Sequence, residues 1–371
     1  MPNTAQTHVV IACGGTGGHF FPGVAVAREL IQADVRTTLL ISAKEVDRQA
    51  VAAIPEIPHL EIPAVALNMK RPLRFLLGFR SATLRVRDYF ANDKPDAVLA
   101  MGGFTAAAPI RVGRQIKVPT FLHESNAVPG RANRLLSRWV NETFIGFEGT
   151  RERFGPKNIT ESGTPVRSEF RNQNRRDCCS QMGFDVTKPL ILVTGGSQGA
   201  RGVNQMVTGA LPRLAERLPD VQWLHLCGPH DLVAVKGAYG KTSFRAVVHD
   251  YIHDMPLALG AADLVISRSG ASSLAEFAAS KVPAILVPLP TAADNHQRAN
   301  AREAVKCGGA IMLEEAKTSS DTFAAHVVGL ISDRGMLMKM ANSMKSLDRP
   351  DAATLIASRI FGACEKGAID N

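Results

Sequence analysis

Twice in this chain an apolar strand-like run enters a glycine-rich turn and leaves it as a helix-spaced pattern. The first instance is "HVVIACGGTGGHFFPGVAVA", in which residues 8–13 read as a strand and Val24, Ala25, Ala27, Leu30 and Ile31 recur at helical spacing. The second is "LILVTGGSQGARGVNQ" at 190–205. Glycine lets the backbone turn sharply at such a junction, and the unpaired N–H groups of the helix start then point at whatever lies beyond the strand. Each half of the chain therefore opens its own nucleotide-binding-like unit.

Further strand-like runs at 38–42, 97–101, 119–123, 222–227, 264–267 and 284–288 alternate with helical patterns, which predicts an α/β chain built on parallel sheets. With 371 residues, 45% of them hydrophobic, the chain is long enough for two domains with separate cores. The polar stretch "ITESGTPVRSEFRNQNRRDCC", broken by Gly163 and Pro165, reads as the hinge between them. Open doubly wound sheets bind ligands beyond the carboxyl ends of their strands, so the two halves are expected to face each other across a cleft.

Lysine and arginine number 43 against 34 aspartates and glutamates, a net charge of +9 that points to an anionic partner. No run reaches the roughly 18 apolar residues of a membrane span, and residues 1–7 carry no basic region ahead of an apolar one. A cytoplasmic protein is expected. Cys13, Cys178, Cys179, Cys227, Cys307 and Cys364 show no C-x-x-C spacing, and Cys13, Cys227 and Cys307 sit in apolar contexts, which favours buried thiols there over metal ligands or disulfides.

Both glycine loops have the chemistry to cradle a phosphate. "GGTGGH" lacks the Lys-Ser/Thr of a P-loop, and "TTLLISAK" ends without the acid that would bind an NAD ribose, so a dinucleotide site is disfavoured. His19 follows the glycines, where an imidazole can take a proton near neutral pH or simply hydrogen-bond the helix start. In "FLHESNAVPGRANR", His123, Glu124, Ser125 and Asn126 precede a Pro129-Gly130 turn and suit either a hydroxyl-rich ligand or turn capping. "LVISRSGASSLAEFAAS" places Arg268 and Ser269 in a turn and Glu276 two helical turns later; "PLPTAADNHQRANARE" gathers Asp294, Asn295, His296, Gln297 and Asn300. Arginine pairs with phosphate, a carboxylate with ribose hydroxyls and amides with sugar hydroxyls, although Glu276 alone also fits a solvated helix face.

"KRPLRFLLGFRSATLRVR" at 70–87 carries six basic residues and no acid. Lys70, Arg71, Arg74 and Arg80 surround Phe75, Leu76, Leu77 and Phe79, with Pro72 placed to start a helix. This suits a helix lying on anionic headgroups, or a core helix with a solvated basic face. The scarcity of stacking rings argues against nucleic acid.

Taken in order, "GGTGGHFFPGVAVA", "MGGF", "HESNAVPGRANR", "SGTPVR", "GGSQGARGVNQ", "SRSGASSLAE" and "VPLPTAADNHQRANA" resemble the pattern of MurG, the bacterial peptidoglycan glycosyltransferase family, from residue 9 to about 305. The resemblance implies a GT-B fold, two Rossmann-like domains facing across a cleft. Residues 1–165 would form the acceptor and membrane-binding domain and 166–346 the donor domain, with a C-terminal helix, 347–371, packing back on the first. It implies inverting transfer of N-acetylglucosamine from UDP-N-acetylglucosamine (UDP-GlcNAc) to the 4-hydroxyl of the muramic acid in lipid I, undecaprenyl-pyrophosphoryl-MurNAc-pentapeptide, giving lipid II. The enzyme would be peripheral at the cytoplasmic face of the cell membrane, touching anionic phospholipid through the 70–87 patch and needing no cofactor, metal or nucleic acid.

By the same resemblance Ser197 and the helix start after it face the UDP phosphates, Arg268 lies near the nucleotide and Glu276 accepts from the ribose hydroxyls. The Ile252 backbone reads uracil, and His296 and Gln297 contact the sugar. Asn126 reaches the donor from the first domain, as do Thr16, Gly17 and Gly18, and Arg167, just past the hinge, contacts it across the cleft. Gly14, Gly15, Thr16, Gly17 and Gly18 hold the acceptor's diphosphate, and His19 is general base on the attacking hydroxyl, with Glu124 as competitor. The chain departs from the family's pattern at "TAAAPI" after "MGGF", at Phe104 and at Ser125. A UDP-N-acetylglucosamine 2-epimerase on the same fold is the rival reading, and it would want no membrane patch.

Overall fold

The computed structural model describes residues 6–15, 17–63, 72–155, 158–196 and 198–369. They fold as two compact units, Met1–Arg167 with Arg349–Asn371, and Ser168–Asp348. The first holds β1 (His8–Ala12), β2 (Arg36–Ser42), β3 (His59–Ile62), β4 (Ala97–Ala100), β5 (Thr120–Glu124), β6 (Glu142–Ile145) and β7 (Ile159–Glu161), in the order β3-β2-β1-β4-β5-β6-β7. The second holds β8 (Leu190–Thr194), β9 (Gln222–Leu226), β10 (Ala246–His249), β11 (Leu264–Ser267), β12 (Ala284–Leu286) and β13 (Ala310–Met312), in the order β10-β9-β8-β11-β12-β13. Every described pairing is parallel. Each chain segment thus starts in mid-sheet, winds outward one way and then crosses back, leaving a switch point beside β1 in one unit and β8 in the other.

The central strands are apolar throughout because helices cover both of their faces. Along β1, Val9 and Ile11 join the core under helices Gly17–Gln32 and Ala352–Ile369, while Val10 and Ala12 join the core under helices Pro72–Asn92 and Ala107–Gln115. Helix 352–369 returns to the first unit by inserting Ile356 and Ile360, both fully buried, beside helix 17–32. In the second unit Ile191 and Val193 of β8 pack with Trp223, with helix Arg201–Arg217 and with helix Ser320–Ser332.

The stretch read as a hinge is only partly linker. Ile159–Glu161 pairs with β6 as the seventh strand, and helix Arg175–Gln181 begins where Asn174 caps the N–H groups of Arg176 and Asp177. All six cysteines carry free thiols; Cys307, expected to be buried, is half-buried.

A buried carboxylate fixes the chain as it leaves β1. Asp47, 1% exposed, accepts from the Gly15 N–H at 2.6 Å, the Ser42 N–H at 3.1 Å and the Ser42 hydroxyl at 2.5 Å. Burial also keeps two histidines neutral at pH 7, one on β5 and one on β9. His123 on β5 bonds the Gly163 carbonyl through Nε2, and burial lowers its pKa to about 4. His225 on β9 lies between Asn204 and Tyr239, and burial lowers its pKa to about 3.

Asp47→Ala leaves three donors without an acceptor and is expected to cost about 2–4 kcal/mol in urea denaturation, with Asp47→Asn less damaging; a loss within experimental error would remove the carboxylate from this role. Both histidine pKa values lie below that of the unfolded chain, so the unfolded state binds more protons once pH falls under about 6.5 and stability is lost from there downward. Each histidine is expected to contribute about 2 kcal/mol of destabilisation at pH 5 relative to neutral pH. A pH-independent unfolding free energy between pH 7.5 and 5 would contradict this.

Candidate active site

In the first unit the loops beyond β1, β4 and β5 gather around His19. This histidine lies in the first turn of helix 17–32, half-buried. A Cβ added at Gly103 would stand 3.1 Å from its Cε1 and one at Gly102 3.3 Å from its Nε2, so the imidazole lies against the backbone of the "MGGF" loop. Both glycines have positive φ, +99° at Gly102 and +74° at Gly103, and the ring can lie there because neither carries a side chain. Desolvation lowers the His19 pKa, opposed by the charges of Glu124 and then Asp47. The imidazole is therefore neutral at pH 7 and able to accept a proton.

Glu124, 2% exposed at the end of β5, is held by four donors. Its Oε1 accepts from the Asn126 N–H and side-chain amide, each at 2.9 Å, and its Oε2 from the Gly130 N–H at 3.0 Å and Asn133 Nδ2 at 2.8 Å. These four bonds tie Glu124 to residues 125–133 and make it an anchor for that loop. Asn126 is half-buried in that loop, where its carbonyl accepts from Thr150 Oγ1. Arg167 stacks on Phe21, its guanidinium 4.7 Å from the ring centroid, two residues along helix 17–32 from His19.

The glycine loop itself needs one correction. The Gly15 N–H, expected to meet the acceptor's diphosphate, is already bonded to Asp47, whose charge would also repel an anion there. Gly17 and Gly18 open helix 17–32 and keep the dipole of its N-terminus. Lys44 lies at the same loop, 3.3 Å from the Gly15 carbonyl and 4.5 Å from the Phe104 ring centroid. Thr16 lies outside the described residues, as does Ser197 in the second unit.

In the second unit the corresponding loops follow β8, β10, β11 and β12. Gly196 and Gly199 carry the positive φ values, +85° and +72°, that bend the chain into helix 201–217. Arg268, directly after β11, is nearly buried; its Nη1 donates to the Val287 and Pro288 carbonyls at 3.0 and 3.3 Å and lies 2.7 Å from Glu315 Oε2. Glu276 is half-buried on helix Ala271–Ala279, and Ile252 is half-buried in the loop after β10. Asp294 and Asn295 are consecutive left-handed residues, φ +50° and +53°, and they turn the chain into helix His296–Lys306. Such strain in non-glycine residues concentrates where a ligand loop must hold an exact shape. His296 Nδ1 donates to the Ala293 carbonyl at 2.8 Å. Gln297 accepts from the Leu289 N–H through Oε1, and its carbonyl accepts from Ser269 Oγ.

Helix Pro72–Asn92 carries the basic, apolar patch. Leu76 and Leu77 are 57% and 68% exposed, whereas Phe75 and Phe79 are half-buried and stack at 6.2 Å with Arg111 over Phe79. Arg80 is exposed; Lys70 and Arg71, and the side chain of Arg74, lie outside the described residues. No helix among the described residues is long and apolar enough to cross a membrane. Asp47 and Glu315 escape a reading of the sequence because each lies outside any glycine-rich or strand-end motif, and Lys44, the last residue of "TTLLISAK", is passed over because that strand end is read for an acid.

The chain matches the Glycosyltransferase family 28 N-terminal domain over residues 9–145 and the family's C-terminal domain over residues 190–356. It is 34% identical over 363 residues, 95% of its length and 98% of the relative's, to the UDP-N-acetylglucosamine–N-acetylmuramyl-(pentapeptide) pyrophosphoryl-undecaprenol N-acetylglucosamine transferase of Listeria monocytogenes. The protein of the same name in Myxococcus xanthus is 35% identical over 94% of this chain and 91% of its own. Among solved structures, Acinetobacter baumannii MurG superposes with a TM-score of 0.76 at 28% identity, covering 96% of this chain and all of that one. With both family 28 domains present and relatives of one name matched along nearly its whole length, this chain belongs to the MurG family of glycosyltransferases.

Proposed function

We propose that this chain transfers N-acetylglucosamine from UDP-GlcNAc to the muramic acid 4-hydroxyl of lipid I, giving lipid II. The observation that carries the reading is end-to-end identity of 34% with transferases named for that reaction. Inversion follows from a single displacement: the 4-hydroxyl oxygen bonds to the anomeric carbon as the bond to UDP breaks and its electron pair leaves with the diphosphate. In this reading the second unit holds the donor. The start of helix 201–217 and Arg268 face the diphosphate, where negative charge grows in the transition state. Glu276 takes the ribose hydroxyls, the Ile252 backbone the uracil, and His296 with Gln297 the sugar. The first unit holds the acceptor, with the Gly17 and Gly18 amides and Lys44 at its diphosphate. His19, neutral at pH 7, takes the hydroxyl proton.

The exposed Leu76 and Leu77 on a basic helix support docking at the cytoplasmic face of the membrane, apolar side chains entering the headgroup layer while arginines meet anionic phospholipid.

With a soluble lipid I analogue, His19→Ala is expected to lower kcat by about 10²–10⁴, and Glu276→Ala to raise the KM for UDP-GlcNAc by about tenfold. Because the His19 pKa is depressed, kcat/KM should hold from pH 8 down past 6.5 and fall only below it, as the imidazole becomes charged. A folded preparation that releases no UDP in response to the acceptor would sink the assignment, and acceptor-independent epimerisation of UDP-GlcNAc would replace it with the epimerase.

Leu76→Glu with Leu77→Glu is expected to weaken sedimentation with phosphatidylglycerol vesicles by at least about tenfold while leaving kcat on a water-soluble acceptor unchanged. Undiminished sedimentation would place the membrane contact elsewhere.

A further inference from the structure

The guanidinium of Arg268 is gripped at one corner only. Nη1 donates to the carbonyls of Val287 and Pro288 and lies 2.7 Å from Glu315 Oε2, while Nε and Nη2 make no hydrogen bond to a described residue. That remaining edge presents two parallel N–H groups, the geometry that matches two oxygens of a phosphate.

Glu315 reaches this corner because of a glycine. It opens the short 3₁₀ turn Glu315–Lys317, and its carboxylate lies over Gly202 in the first turn of helix 201–217. A Cβ at Gly202 would stand 2.1 Å from Glu315 Oε1 and 2.2 Å from its Cδ, so any other residue there would drive the carboxylate away. The first turn of that helix holds no acid of its own, and Glu315 supplies one from another part of the chain. The neighbouring Glu314 has different partners, Arg298 and Lys317.

We propose that Glu315 is a positioning residue for glycosyl transfer, a role that rests on the donor-site assignment of Arg268: held in place by Gly202 and the helix start, Glu315 fixes the Nη1 corner of Arg268 so that the Nε and Nη2 edge faces the donor's diphosphate. An arginine held this way has little rotamer freedom left to lose when the nucleotide sugar binds.

The test is a double-mutant cycle read in steady-state kinetics. Glu315→Ala is expected to raise the KM for UDP-GlcNAc by about tenfold with the acceptor KM unchanged. Glu315→Gln, which keeps the side chain's shape and an oxygen within reach of Nη1, should stay within about threefold of wild type. Gly202→Ala, which displaces the carboxylate by a different route, should reproduce the Glu315→Ala defect. The double variant Glu315→Ala, Arg268→Ala should be no worse than Arg268→Ala alone. A merely structural Glu315 would lower the unfolding midpoint and the active fraction without moving the donor KM selectively, and that result overturns the proposal. If Arg268→Ala is impaired while Glu315→Ala is normal, or if the two defects add, the role of Glu315 fails and the donor assignment of Arg268 stands. A wild-type donor KM in Arg268→Ala removes Arg268 from the donor site and this proposal with it.

Discussion

Backbone lies directly against backbone at the equivalent place in both units, and the rest of each site depends on that contact. A Cβ at Gly14, just after β1, would stand 2.3 Å from the Ser42 nitrogen at the end of β2; one at Gly199, in the loop after β8, would stand 2.2 Å from the Cys227 carbonyl oxygen beyond β9. Only glycine fits such a gap. Because the loop can press onto the neighbouring strand end, the following helix starts at the switch point of the sheet with its N-terminal dipole directed beyond the strands. Any side chain at either position would push the loop off its strand, and with it His19 in one unit or the first turn of helix 201–217 in the other.

That arrangement is legible in the sequence where burial on both faces leaves an unbroken apolar run. β8 and β11 read at their observed bounds, and β1, β4, β5, β9 and β12 within a residue or two. The outer strands are not legible. β3 is "HLEI" with only Ile62 buried, and β7 is "ITE" with every residue half-buried, so neither carries an apolar run to be read; each is a strand because a formed neighbour offers it a ladder. For that reason β7 is indistinguishable from the polar hinge around it.

The candidate site divides along the same physical line. Residues lying in or next to a glycine turn, such as His19 and Arg268, can be picked out because the turn marks where the chain reaches a strand end. What those residues are bonded to cannot. The acceptor for the Gly15 N–H comes from Asp47, on helix Glu45–Ala52 after the next strand, and the anion beside Arg268 comes from Glu315, in a short turn after the edge strand β13. Both partners meet their targets only through the crossover topology. Glu124 shows a third kind of gap: its position is visible, but the four N–H donors that make it an anchor come together only when residues 125–133 fold back over it.

At His19 the glycine contacts and the buried carboxylates act on a single group. Burial against the Gly102 and Gly103 backbone disfavours its charged form, while Glu124 and Asp47 favour it, and burial prevails. The two carboxylates are held rigidly for reasons of their own, one by the 125–133 loop and the other by the β1 and β2 strand ends, so neither can turn away. In the proposed reaction this matters at one moment. The imidazole begins neutral, able to accept, and as the acceptor's proton arrives two fixed negative charges stand ready to stabilise the imidazolium without reorganising. The anchors that shape the loops thus also set the electrostatics of the proton transfer, and a carboxylate need not touch the substrate to bear on the chemistry.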